Sequence, residues 1–236
     1  MLSPRESKSC YVSEGQREVL LQLITEPTIE EHFFLTGGTA LSVFYLHHRT
    51  SNDLDLFSLQ EVNISEVAFW IKGMWPGEIV TLRESPHFLS CLIRETKIDL
   101  VIDPLSVDEQ RPYVIFENGH KVQIDTIRNI ISNKLCTCVS RTEPKDYVDL
   151  YALFKELPEI KFETVYAMAK KKDAIFDDPP TVAFQLEEGI AFIKETPEMI
   201  PPLRTPFDYD DFLAFYEKLA MWIYDRLRLL PSSLPK

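Results

Sequence analysis

The stretch FFLTGGTALSVFYLHHRTSNDLDLFS, residues 33–58, decides how this chain is read. It holds two adjacent glycines, Gly37 and Gly38, followed by two aspartates one position apart, Asp53 and Asp55, in an apolar run. A folding core alone requires neither. HFFLT (32–36) reads as a short strand, the glycines break it, and Thr39 to Tyr45 suit a short helix. DLDLFS (53–58) alternates strictly, the mark of a strand with one buried face. Side chains two apart share a face, so Asp53 and Asp55 project together while Leu54 and Leu56 enter the core.

Two glycines between a strand and a helix let backbone amides approach a ligand with no Cβ in the way. The free N–H groups of the following helix, and its dipole, favour an anion such as a phosphate. Taken alone, the pair reads more readily as a tight turn needing positive φ. Two neighbouring carboxylates repel and resist desolvation, and a hard divalent cation such as Mg²⁺ removes both penalties. Taken alone, D-x-D reads more readily as an acidic solvent-facing strand side. The interval from Gly38 to Asp53 accommodates a short helix and a return, which would set the carboxylates near the glycine turn. In TKIDLVID (96–103), Asp99 lies between Ile98 and Leu100, where an acid is costly without a partner. Asp103 shares its face by alternation but precedes Pro104 at the strand end, and ranks lower. Asp53, Asp55 and Asp99 would supply the acids of a two-metal site.

Composition is that of an ordinary globular protein, with no apolar stretch long enough to span a bilayer and no secretory signal pattern. The expectation is a soluble cytoplasmic protein without a membrane partner. Cys10, Cys91, Cys136 and Cys138 do not form a disulfide framework, and Cys136-x-Cys138 lacks partners at zinc spacing. The net charge of −12 argues against general nucleic-acid binding, but not against a metal-bridged site.

Along the chain, residues 14–26 read as a first helix and 65–74 as another. GEIVTLRES, FLSCLIRE and TKIDLVID read as successive strands turned at Pro86 and near Glu95. VQIDTIRNIISNKLCTCVSR begins a helix with Asp125 or Thr126 as cap, and PKDYVDLYALFKEL starts another with Pro144 in its first turn. Residues 173–206 read as a meandering connection around one helix, and 209–227 as a last helix with an aromatic core face. The fold class expected is α+β, a mixed β-sheet with flanking helices followed by a helical C-terminal part. The division expected is a catalytic domain over 1–125 and a helical domain over 126–236.

The run LTGGTALSVFYLHHRTSNDLDLF resembles the AbiEii/AbiGii toxin family of nucleotidyltransferases, within the polymerase-β-like nucleotidyltransferase superfamily. The likeness rests on Gly-Gly-Thr-Ala-Leu and on His48-Arg49-x-Ser51-x-Asp53-Leu54-Asp55-Leu56-Phe57. Later motifs are similar in Lys134-x6-Arg141 and Lys145-x3-Asp149, so the resemblance covers roughly residues 30 to 155. It implies a nucleotidyltransferase-type sheet and an NTP whose triphosphate lies against Gly37, Gly38 and Thr39. Asp53 and Asp55 would hold Mg²⁺, with Asp99 assisting a second metal. Arg49 and Ser51 belong to the signature and are expected to hold the loop before the aspartates.

Arg128, Lys134, Arg141 and Lys145 form a locally positive segment in an acidic protein. Lys134 lies near the apolar side of its helix and must snorkel or reach a buried anion, which the resemblance implies is the triphosphate. Arg141 and Lys145 would clamp it further, and Asp149 would orient Lys134 or Arg141, or assist the acceptor. Asp146 reads instead as a helix-start charge, and His47 and His48 as surface cover near the site.

The activity implied is Mg²⁺-dependent transfer of NMP from an NTP to an acceptor hydroxyl, releasing pyrophosphate. The acceptor implied is the 3′ end of tRNA, the role a toxin of a toxin–antitoxin or phage-defence pair, and the protein partner a cognate antitoxin. Two alternatives stand beside it: a nucleotidyltransferase acting on a protein or small molecule, and a non-catalytic NTP-binding protein.

Overall fold

The computed structural model describes residues 2–104 and 109–228, so residues 229–236 of the expected helical part lie outside them. The chain opens with α1 (Glu14–Leu23), capped by the Ser13 hydroxyl accepting from the Gln16 amide. The expected helix over 14–26 stops early, and a second helix, α2 (Pro27–His32), follows. Pro27 lacks an N–H and so suits a new first turn rather than the continuation of an old one, and Glu26 caps that turn on the Ile29 amide at 2.8 Å.

Next come β1 (Phe34–Thr36) and α3 (Gly37–Leu41), which runs into a wider π-turn over Ser42–Leu46. The helix therefore starts at Gly37 rather than Thr39. β2 (Asp53–Ser58) follows, then α4 (Ile64–Met74), β3 (Ile79–Ser85), β4 (Phe88–Ile93) and β5 (Thr96–Ile102). β6 (Tyr113–Ile115) and β7 (Lys121–Ile124) were not legible as strands. Residues 122–124, expected to lead into a helix, pair with β1 instead, and the helix α5 (Ile127–Ser140) begins later. Its cap is Thr126, whose hydroxyl accepts from the Asn129 amide at 3.2 Å.

Among the described residues these strands form one seven-stranded sheet in the order β3-β4-β5-β2-β1-β7-β6. It is mixed, as expected: β2 runs parallel to β5 and β1 parallel to β7, while the other pairs are antiparallel. β2 buries Leu54 and Leu56 and β5 buries Ile98 and Leu100, all with no exposed surface. The alternation that hides these four residues sends Asp53, Asp55 and Asp99 to the opposite face.

The later helices are α6 (Pro144–Glu156), α7 (Phe162–Ala169), α8 (Pro179–Glu195) and α9 (Tyr209–Arg228). The chain separates into two compact units, one of residues 1–130 with 203–205, the other of 131–202 with 206–236. The first unit contains the sheet. It also takes in a distant piece of chain, because Arg49 bridges to Leu203 and the Arg204 amide donates to the His48 carbonyl at 2.7 Å. In the second unit, Tyr147 and Tyr216 pack at 5.0 Å between ring centroids, and the Tyr216 hydroxyl donates to the Tyr147 carbonyl. Gly189 lets α8 close on this pair, since a Cβ there would lie 1.8 Å from the Tyr147 hydroxyl oxygen.

Candidate functional site

Parallel pairing of β2 with β5 sets Asp55 opposite Asp99 and Asp53 opposite Lys97. Cross-strand partners share a sheet face, so the three predicted acids come together on one side of two neighbouring strands. β1 completes the frame, with Thr36 opposite Asp55.

The double glycine has a steric cause. Gly37 has φ +69°, a left-handed conformation, and a Cβ there would lie 2.1 Å from Oδ2 of Asp55. The Asp55 carboxylate thus lies directly against the turn. A Cβ on Gly38 would lie 2.7 Å from Nη2 of Arg49 and 2.9 Å from Oγ of Ser51. The two signature residues therefore pack onto the glycine turn. The Arg49 guanidinium also donates to the Thr50 carbonyl at 2.8 Å, and the Ser51 amide donates to the Cys10 carbonyl. Thr39 is fully buried, and its hydroxyl donates to the Asp53 carbonyl. Its side chain ties α3 to β2 and fixes where Asp53 starts.

Asp99 has chain partners at both oxygens. Ser90 Oγ donates to Oδ1 at 2.6 Å, and Lys97 Nζ lies 2.7 Å from Oδ2. Burial works against the charge of Lys97. The hydrogen bond to Asp99 and the charges of Asp99, Asp53 and Asp55 outweigh it and raise its pKa above the usual lysine range. The sequence reading missed Lys97, although its place two residues before Asp99 in an alternating strand put it on the same face.

A second missed group supports the turn from behind. Asp125 is fully buried. It accepts from the Thr36 hydroxyl at 2.6 Å, the Asn129 amide group at 2.7 Å and Arg111 Nε at 3.0 Å. The Arg111 guanidinium lies over the Phe34 ring at 3.7 Å. Desolvation raises the Asp125 pKa, opposed by these donors and by the Arg111 charge. Asp125, one of the two residues read from sequence as the helix cap, is the hub joining the end of β1 to the start of α5.

In the second unit Lys134 does find a buried anion, and the chain itself supplies it. Its ammonium lies 2.6 Å from Asp146 and 2.7 Å from Asp149, both without exposed surface. Arg141 Nη2 lies 2.8 Å from the other Asp146 oxygen, with about half its side chain exposed. Asp146 is therefore more than a helix-start charge: it sits in the first turn of α6 but binds two basic residues. Lys145 is half-buried. One of the two histidines departs from expectation too. His48 is buried rather than surface cover, and His47 adopts φ 54° at the end of the π-turn.

The residues on the sheet face fit a divalent cation. Carboxylate oxygens are hard ligands, the Asp55 carboxylate fills the space a Gly37 side chain would need, and an ammonium stands beside the acids as a counter-charge. Among the described residues, no three His, Cys, Asp or Glu side chains are already gathered as a metal cage. Also among them, no helix is long and apolar enough to cross a membrane.

The profile of the nucleotidyl transferase AbiEii toxin family, type IV toxin–antitoxin system, matches residues 18–219. No curated protein matches the chain. The fold is similar to that of a candidate nucleotidyltransferase from H. pylori, at 19% identity and TM-score 0.52, over 93% of this chain and 99% of that one. It is likewise similar to JHP933 from Helicobacter pylori, at 17% identity and TM-score 0.53, over 95% of each chain. With a profile match that takes in the glycine turn, all three acids and the Lys134 network, the chain belongs to the AbiEii toxin family and is a nucleotidyltransferase, with an NTP as substrate and an antitoxin as counterpart.

Proposed function

We propose that this protein transfers NMP from an NTP to an acceptor hydroxyl in a Mg²⁺-dependent reaction, and that the acceptor is the 3′ end of tRNA. The observation that carries the metal-dependent part is the register of Asp55 with Asp99, with the Asp55 carboxylate against Gly37. Asp53, Asp55 and Asp99 would hold the cation. Bound there, Mg²⁺ would neutralise the triphosphate and favour the ionised acceptor hydroxyl.

The chain's own residues provide the positioning. Gly37 and Gly38 keep side chains away from the place where the triphosphate backs onto the turn. Arg49 and Ser51 brace that turn, and Thr39 fixes the first residue of the acidic strand. In the second unit Arg141 is an exposed basic side chain and Lys145 a half-buried one. Lys134, with Asp146 and Asp149, is the buried support that sets where Arg141 stands.

The family resemblance supports the tRNA acceptor; in the basic segment over residues 126–146, Lys134 and Arg141 are already paired with Asp146 and Asp149. The net charge of −12 favours a second reading, in which the acceptor is a protein side chain or small molecule that needs no basic lane. Incubation with labelled NTPs and total tRNA, beside a D53A/D55A control, separates the two. Label on tRNA supports the first reading and label on protein the second. NTP binding without transfer to any acceptor would remove both.

A further inference from the structure

Lys97 Nζ lies 2.7 Å from Oδ2 of Asp99, while Oδ1 accepts from Ser90 at 2.6 Å. Each oxygen of this acid therefore already has a donor from the chain, and one of those donors carries a full positive charge. The two differ in freedom. Ser90 is 5% exposed and fixed in β4, opposite Asp99 across the sheet. The Lys97 side chain is 42% exposed, on a flexible four-carbon stem. Lysine is thus the donor that can leave without disturbing the sheet.

We propose that Lys97 is an internal counter-ion of the acidic face, displaced from Asp99 when a divalent cation binds there. It thereby sets the metal concentration at which the site fills. The inference rests on the metal-dependent reading given above. Its physical basis is competition for one oxygen: a cation and an ammonium cannot both sit close to Oδ2 without repelling each other. Strand register makes the competition direct, because Lys97 also stands opposite Asp53.

The test uses the full chain and Mn²⁺ alone, with free Mn²⁺ read by electron paramagnetic resonance. Lys97→Met is expected to bind Mn²⁺ about fivefold more tightly than wild type, the size of a partly exposed ion pair. Lys97→Arg, which keeps the charge, is expected to stay near wild type. Equal affinities for wild type and Lys97→Met overturn the inference and leave the metal site standing. No Mn²⁺ binding by either overturns both. Tighter binding by Lys97→Arg as well removes the charge as the cause. Should Lys97→Met fail to fold, the wild-type chain provides a separate measurement. Acylation of Lys97, mapped by peptide mass spectrometry, is expected to rise with added Mg²⁺ relative to other exposed lysines, and an unchanged yield overturns displacement.

Discussion

Gly37 and Asp55 occupy space that only a glycine could share: a Cβ on Gly37 would lie 2.1 Å from the Asp55 carboxylate oxygen. The backbone at Gly37 also has φ +69°, so a side chain there is strained even before the collision. Gly37→Ala is expected to lower stability by about 1–3 kcal/mol. It should lower nucleotidyl transfer on the order of 10²-fold by shifting Asp55. Gly38→Ala meets Arg49 and the Ser51 hydroxyl but not a left-handed backbone, so its effect should be smaller. Side-by-side transfer assays and urea melts of the two variants check this ranking.

Asp53 and Asp55 are half-buried on a strand whose core residues are Leu54 and Leu56. Replacing either acid leaves that core intact. Asp53→Asn and Asp55→Asn are expected to keep the wild-type melting profile and to lose about 10³-fold in transfer, equivalent to several kcal/mol of transition-state stabilisation. A variant that folds and retains near-wild-type transfer would remove the acidic face from the reaction.

Lys134 holds two carboxylates that have no exposed surface. Lys134→Ala leaves Asp149 and one oxygen of Asp146 without this partner inside the second unit, and is expected to destabilise it by about 3–5 kcal/mol. Arg141, half exposed on the same Asp146, should cost much less when changed to alanine. Urea denaturation followed by tyrosine fluorescence would show the difference. Equal losses for the two variants would contradict the buried-pair account.

Alkaline pH offers a separate check. Burial, with a smaller contribution from the Asp99 charge, pushes the Cys91 thiol up to about 12. Burial likewise raises Cys136 to about 11 and Tyr166 to about 12. Below the ordinary thiol pKa, folded and unfolded chains both keep these protons, and stability is unaffected. Between that value and the raised one, only the unfolded chain ionises, so stability falls as pH rises. Denaturation midpoints are expected to drop between about pH 9 and about pH 11, and Cys91→Ala should lose less over that interval than wild type.

The sequence by itself determined the acidic strand, because the period of two in DLDLFS and TKIDLVID is a local property of the pleated backbone. It also marked the glycine turn, and folding added the steric reason for glycine there, a left-handed Gly37 packed against Asp55. Tertiary structure alone decided that β2 and β5 lie side by side in a register matching Asp55 with Asp99, since strand partners are chosen by the whole sheet. It likewise turned residues 121–124 into a strand beside β1, a run too short to declare its period. The roles of Asp125, Asp146 and Lys97 belong to the same class. A carboxylate is identical in sequence whether it caps a helix, faces water or anchors a buried network, and only the groups that folding brings within hydrogen-bond distance distinguish these fates.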